Sequence, residues 1–169
     1  MPLADTLFSD LDHEFAATRR MLAAVPWDRA DWKPHEKSMP LGKLARHVAT
    51  LPQFGLGALA TDGMNMADGR PPQPEIASTD ELLATWDDLS GTLRDQLAAT
   101  DDERMGGDWT LSMGDRDLFT SPRGQVVRQW TLSHIAHHRG QLSVYLRLLD
   151  VPVPGTYGPS ADDQGIAGS

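Results

Sequence analysis

The stretch from Ser121 to Leu149 constrains the fold more than any other part of the chain. It has the periodicity and length of one long helix, and it places His134, His137 and His138 within five residues. A helix advances about 100° per residue, so His138 falls about 40° from His134 and His137 about 60° to the other side. Val127, Trp130, Thr131, Gln141, Tyr145, Leu148 and Leu149 share the His134/His138 face. Gln129, Arg139, Ser143, Arg147 and Asp150 lie opposite. Two imidazoles thus project from the stripe that must pack against other elements, and burying them without partners is costly. A shared ligand accounts for both.

Three further amphipathic stretches precede this one. Leu7, Leu11, Phe15, Thr18, Leu22 and Val25 recur at helical spacing between Pro2 and Val25, and Pro26 ends that helix. His13 lies off its stripe and is expected in solvent. Residues 26–40 hold three prolines and two tryptophans, which predicts a structured connector, with His35 as an exposed loop residue. Ser38 as N-cap and Pro40 in the first turn open a second helix that runs to about Ala60, with Pro52 as a candidate kink. Its stripe is Leu41, Leu44, His47, Val48 and Leu51, so His47 occupies a core position. A proline-rich crossover over 61–78 follows, including Pro71-Pro72-Gln73-Pro74. Ser78 through Glu81 reads as a capping box for a third helix with the stripe Leu82, Trp86, Leu89, Leu93 and Leu97.

Residues 101–121 form either a short β-excursion or an irregular loop. Ser121-Pro122 then supplies the cap and first-turn proline of the histidine helix. Gly140 within that helix suggests close packing against a neighbour. Leu132 and Leu146 point towards its polar side, a candidate contact between subunits. From about residue 150 to residue 169 the chain is an irregular tail that ends polar and frays. The whole predicts an all-α fold, a four-helix bundle with long crossover connections, built as a single domain over 1–169.

Several function classes are excluded by composition. The net charge is −9 and the basic residues are scattered, which argues against nucleic-acid binding. Cysteine is absent, so no disulfide, thiolate nucleophile or sulfur-rich zinc site is available. No apolar run reaches the roughly 18 residues that a membrane span needs. No signal peptide is apparent, and a soluble cytoplasmic protein is expected. The His-Glu-x-x-His helix of metalloproteases, the nucleophile elbow, the phosphate loop and the paired Glu-x-x-His motifs of di-iron bundles are all missing.

What remains is nitrogen ligation between facing helices. His134 and His138 supply two imidazoles and His47 a third, which is the donor set of open catalytic zinc sites. Zinc and nickel lead as candidate ions, while iron, cobalt and manganese are also compatible. Such an ion polarises a substrate or lowers the pKa of bound water towards about 7.

Three segments resemble the DinB family of bacterial metal-binding four-helix bundles, the DinB/YfiT type. They are Trp32-Lys33-Pro34 with Ser38-Met39 and Leu41 through His47, then His134 through Leu142 with Tyr145-Leu146-Arg147, and finally Pro152 through Ser160. The resemblance implies metal ligation by His47, His134 and His138, with His137 outside the coordination sphere. It also implies that homodimers are common. Some relatives are metal-dependent transferases or isomerases that use low-molecular-weight thiols such as bacillithiol or mycothiol. A metal-dependent enzyme acting on a small molecule is therefore expected, with thiol S-transfer favoured and hydrolysis next. His137, Gln141 and Tyr145 are the candidate catalytic or pocket residues. The alternative is a non-catalytic metal-binding module in stress response.

Overall fold

The computed structural model describes residues 1–69 and 72–164. Pro71 of the proline run and the last five residues of the tail lie outside them. The first arm of the bundle is α1 (Leu3–Leu7) and α2 (Leu11–Ala23), and the second is α3 (Leu41–Thr50) with α4 (Pro52–Ala60). The third is α5 (Thr79–Ala99), followed by the short α6 (Asp102–Gly106). The fourth comprises α7 (Arg123–Val127), a wide turn over Arg128–Ser133 and α8 (His134–Leu148). Both α5 and α8 pack against α2 and against α3, which places α2 and α3 across the bundle from each other. Leu22, Leu44, Val48, Leu82, Leu93, Ile135, Leu142 and Leu146 meet in the core.

The β-excursion is real. Strands β2 (Asp108–Met113) and β3 (Arg116–Pro122) form an antiparallel hairpin, and β1 (Gly63–Asn65), from the proline-rich crossover, pairs parallel to β2. Three residues show no alternation, so β1 leaves no periodic signal. It needs glycine at Gly63, where a Cβ would lie 2.5 Å from the Thr110 carbonyl oxygen.

Capping follows the sequence at one helix and departs from it at two. Ser78 Oγ accepts from the Glu81 amide, and the Glu81 carboxylate reaches back to accept from the Ala77 amide, one residue before the N-cap, a variant of the capping box. Pro40, not Ser38, is the N-cap of α3. Ser121 and Pro122 close β3, and the last helix begins after them at Arg123. The first helix is also broken, at Phe8–Asp10. Phe8 turns into the core there, and α1 swings to pack on α6 and α7, with the Leu3 amide donating to Asp102. The helix-two kink occurs where Pro52 predicts it.

The decisive departure is which face of the last helix is buried, beyond a wide turn that winds as a π-helix. Within α8, Tyr145, His138, Leu142, Ile135, Leu146 and Arg139 are buried. They span an arc from about 20° to about 140° around from His134. The arc is centred near Leu142, and the histidines sit at its edge. Consequently Leu132 and Leu146, expected on the polar side, are 2% and 0% exposed and belong to the core of this chain, not to a subunit contact. Arg139, expected opposite the core, is buried, whereas Trp130 and Leu148 on the expected packing face are 38% and 56% exposed.

Gly140 does not mark close packing either: a Cβ there would meet nothing within 4 Å, and the same holds for Gly91 in α5. Both pay the helix entropy of glycine without a steric reason. Gly91→Ala and Gly140→Ala should each stabilise the protein by about 0.5–1 kcal/mol in denaturant unfolding. The tail to Gln164 is pinned rather than frayed. The Val153 and Gly155 amides donate to Asp162 and Asp163, and Arg147 pairs with Asp162.

Candidate metal centre

α3 presents His47 to α8, where His134 and His138 lie one turn apart. One ring nitrogen from each of the three falls within 4.8 Å of the other two. The ring centroids of His47 lie 5.2 Å from His134 and 4.5 Å from His138. Among the described residues this is the one His/Cys/Asp/Glu group with metal-ligand spacing.

The tautomer of His138 follows from its neighbour. His138 Nδ1 lies 2.7 Å from Gln141 Oε1, which can only accept, so Nδ1 carries the proton and Nε2 is left as a lone pair. His134 has the Trp130 backbone beside it, an interaction that favours its protonated form. The Nε2 atoms of His134 and His138 face each other at 2.9 Å. His138 Nε2 is the acceptor there, and either a proton on His134 Nε2 or a cation shared by the two nitrogens satisfies the contact. The residues present therefore fit a divalent ion: three partly buried imidazoles with converging nitrogens, one of them, His138, oriented for ligation by Gln141.

Desolvation is the largest cause that holds both His134 and His138 below the ordinary histidine pKa. For His134 the charge of His138 adds to it, and His137 depresses both further; the Trp130 and Gln141 hydrogen bonds oppose the shift. The sign for the ion-free protein follows. Above the unfolded value of about 6.5 both states are neutral and stability is full. As pH falls through that value the unfolded chain takes up protons first, so stability should drop between about pH 7 and 5. Urea titrations across that range should show the decline, and a His134→Asn/His138→Asn variant should flatten it.

Three sequence candidates lie around the triad without joining it. His137 is exposed and its ring centroid is 4.7 Å from that of His138. Gln141 is the orienting partner of His138. The Tyr145 hydroxyl donates to the Met39 carbonyl at 3.0 Å and its ring meets Trp32 edge-on, so it fastens the connector ahead of α3. His35 is exposed and accepts from the Lys37 amide, away from the triad. His13 is exposed as expected, although its ring stacks on Tyr157. Gln141→Leu should weaken metal binding about 10–100-fold by freeing the His138 ring, as measured in competition with a chromogenic chelator.

Two polar clusters went unread in the sequence. Arg139 Nη2 forms an ion pair with Glu14 Oε2 at 2.9 Å, and the guanidinium also donates to the Glu14 carbonyl, Thr18 Oγ1 and the Tyr157 hydroxyl. Glu14 stands three residues after Leu11 and four before Thr18, a core position, and that spacing was the available signal. Arg123, 2% exposed, donates to Asp62 and to the carbonyls of Ala58, Thr61, Arg104 and Asp108, clamping α4, α6 and the sheet together. A cavity of about 410 Å³ adjoins this clamp, and one of about 210 Å³ lies under the tail beside Arg139. Neither is lined by the triad, which sits on an open edge.

The DinB superfamily model matches residues 10–142, and the chain belongs to that superfamily. The uncharacterized protein YrdA of Bacillus subtilis (strain 168) is 24% identical over 168 residues, covering 93% of each chain. Two crystal structures share the fold. The DinB-like protein YjoA of Bacillus subtilis superposes with a TM-score of 0.69 at 19% identity, covering 89% of this chain and 97% of that one. A DinB-like protein of Bacillus cereus ATCC 10987 also gives 0.69, at 20% identity, covering 89% and 95%. No helix among the described residues is long and apolar enough to cross a membrane.

Proposed function

We propose that this protein is a metal-dependent enzyme in which His47, His134 and His138 hold a divalent cation, zinc or nickel foremost, and that it transfers a low-molecular-weight thiol to a small electrophile. The observation that carries the metal reading is the approach of His134 Nε2 and His138 Nε2 to 2.9 Å beside a third imidazole. The bound ion would supply Lewis acidity, stabilising a thiolate at neutral pH. The chain's own residues do the rest. Gln141 fixes the His138 ring, and desolvation favours the neutral, ligating form of both His134 and His138. His137, on the solvent side, is placed to take up the thiol proton. The thiol sulfur then forms a bond to the electrophilic carbon, whose leaving group departs with its electron pair. Hydrolysis, with water as the nucleophile, is the next reading, and a homodimer is the assembly we infer.

One observation favours a second reading. Neither cavity reaches the triad, as befits an ion that simply ties α3 to α8. Elemental analysis of untagged protein separates these readings from a metal-free bundle. Near-stoichiometric zinc or nickel, lost in a His47→Ala/His138→Ala variant, is expected. No metal in either protein after incubation with each ion would end the metalloenzyme reading. Metal without turnover of any thiol–electrophile pair would favour the non-catalytic module.

A further inference from the structure

The triad occupies one layer of the bundle, and the layer beside it is aromatic. Phe54 lies seven residues after His47 and Trp130 four before His134, so both continue the ligand faces in the same axial direction. Their rings are 6.2 Å apart, in a layer about 6–10 Å from the triad by helical rise. Phe119 from β3 stacks parallel to Trp130 at 5.7 Å with 8° between the planes. Trp109 supports Phe54 and Phe119 from beneath and is 1% exposed, so the hairpin is already anchored to the core. Trp130 nevertheless keeps 38% of its surface in solvent.

The electrostatic setting of the triad is equally uneven. The chain has 24 acidic residues, yet none falls in 41–60 or 123–149, the two segments that carry the ligands. Arg123, Arg128, Arg139 and Arg147 there are paired with carboxylates from elsewhere, whereas Lys43 and Arg46 on α3 have no such partner among the described residues. Lys43 lies one turn before His47 and Arg46 next to it, so the triad is bordered by cations in an acidic protein.

Resting on the metal reading above, we infer that the ligand of this site has an anionic metal-binding head and a planar aromatic body, the head at the triad and the body on the open shelf of Trp130 with Phe54 and Phe119. Stacking beyond simple burial, together with the area covered on Trp130, should discriminate an aromatic from a methyl body by about tenfold or more.

Benzohydroxamate and acetohydroxamate share one metal-binding head and differ only in the body, so calorimetric titration of both into the metal-loaded protein is the test. The aromatic probe should bind at least about tenfold more tightly, and Trp130→Leu and Phe119→Leu should each erode that ratio while leaving acetohydroxamate affinity unchanged. The His47→Ala variant should bind neither. Circular dichroism establishes that every variant is folded and metal content that the two shelf variants are loaded, and these two test the surface independently. Equal affinities in the wild type would overturn the shelf while leaving the metal reading intact. Failure of both probes to bind would overturn the two together, and a ratio unchanged in both leucine variants would reject these rings as the contact surface.

Discussion

Replacing Arg139 by methionine should lower the unfolding free energy by about 3–5 kcal/mol, because it strands the Glu14 carboxylate inside the bundle. Both side chains are nearly inaccessible, at 2% and 6% exposure. The Nη2–Oε2 contact is an ion pair rather than an aligned hydrogen bond, and the remaining guanidinium donors hold the Glu14 carbonyl, Thr18 and Tyr157. One residue thus links α2, α8 and the tail. Methionine fills much of the volume and satisfies none of the partners. Urea unfolding of Arg139→Met, Glu14→Gln and the double variant measures the effect. The double variant should recover much of the loss, since removing both partners avoids the uncompensated charge. A loss under about 1 kcal/mol for Arg139→Met would mean that water reaches the carboxylate and that the pair behaves as a surface one.

Metal binding should produce the second large effect. An ion held only by the folded triad stabilises the protein by about 2.7 kcal/mol at a free concentration 100 times its dissociation constant. For a chain of this size that corresponds to a rise in Tm of roughly 5–11 °C. Thermal unfolding with and without zinc or nickel at pH 7, above the lowered pKa values of His134 and His138, is the measurement. His47→Ala should abolish the rise, because it removes the only α3 ligand, and His138→Ala should do the same from the other helix. Gln141→Leu should retain a smaller rise that recovers at higher metal concentration. An identical rise in wild type and His47→Ala would place the ion elsewhere.

The helical content, the three-histidine set and the approximate element boundaries were legible because they are local. Stripes such as Leu82, Trp86, Leu93 and Leu97 report burial directly, and His47 stood out as a polar residue at a core position. The β-hairpin was legible only as one of two alternatives, and β1 not at all, because a three-residue strand is defined by its partner. The faces of the last helix were misread around its midpoint. The stripe was centred on His134 and His138, whereas the buried arc is centred near Leu142 and the histidines stand at its edge. Hence Leu132, Leu146 and Arg139 were assigned to the polar side and are buried.

The sequence by itself determined which residues could ligate an ion and that sulfur chemistry from the protein was absent, since both depend on residue type and helical spacing. Only the tertiary structure decided that His47 meets His134 and His138, because that requires α3 and α8 to pack with the right register. It also oriented the His138 ring through Gln141, and it buried Arg139 against Glu14. Those are long-range pairings, and their energies depend on desolvation that no single segment can specify.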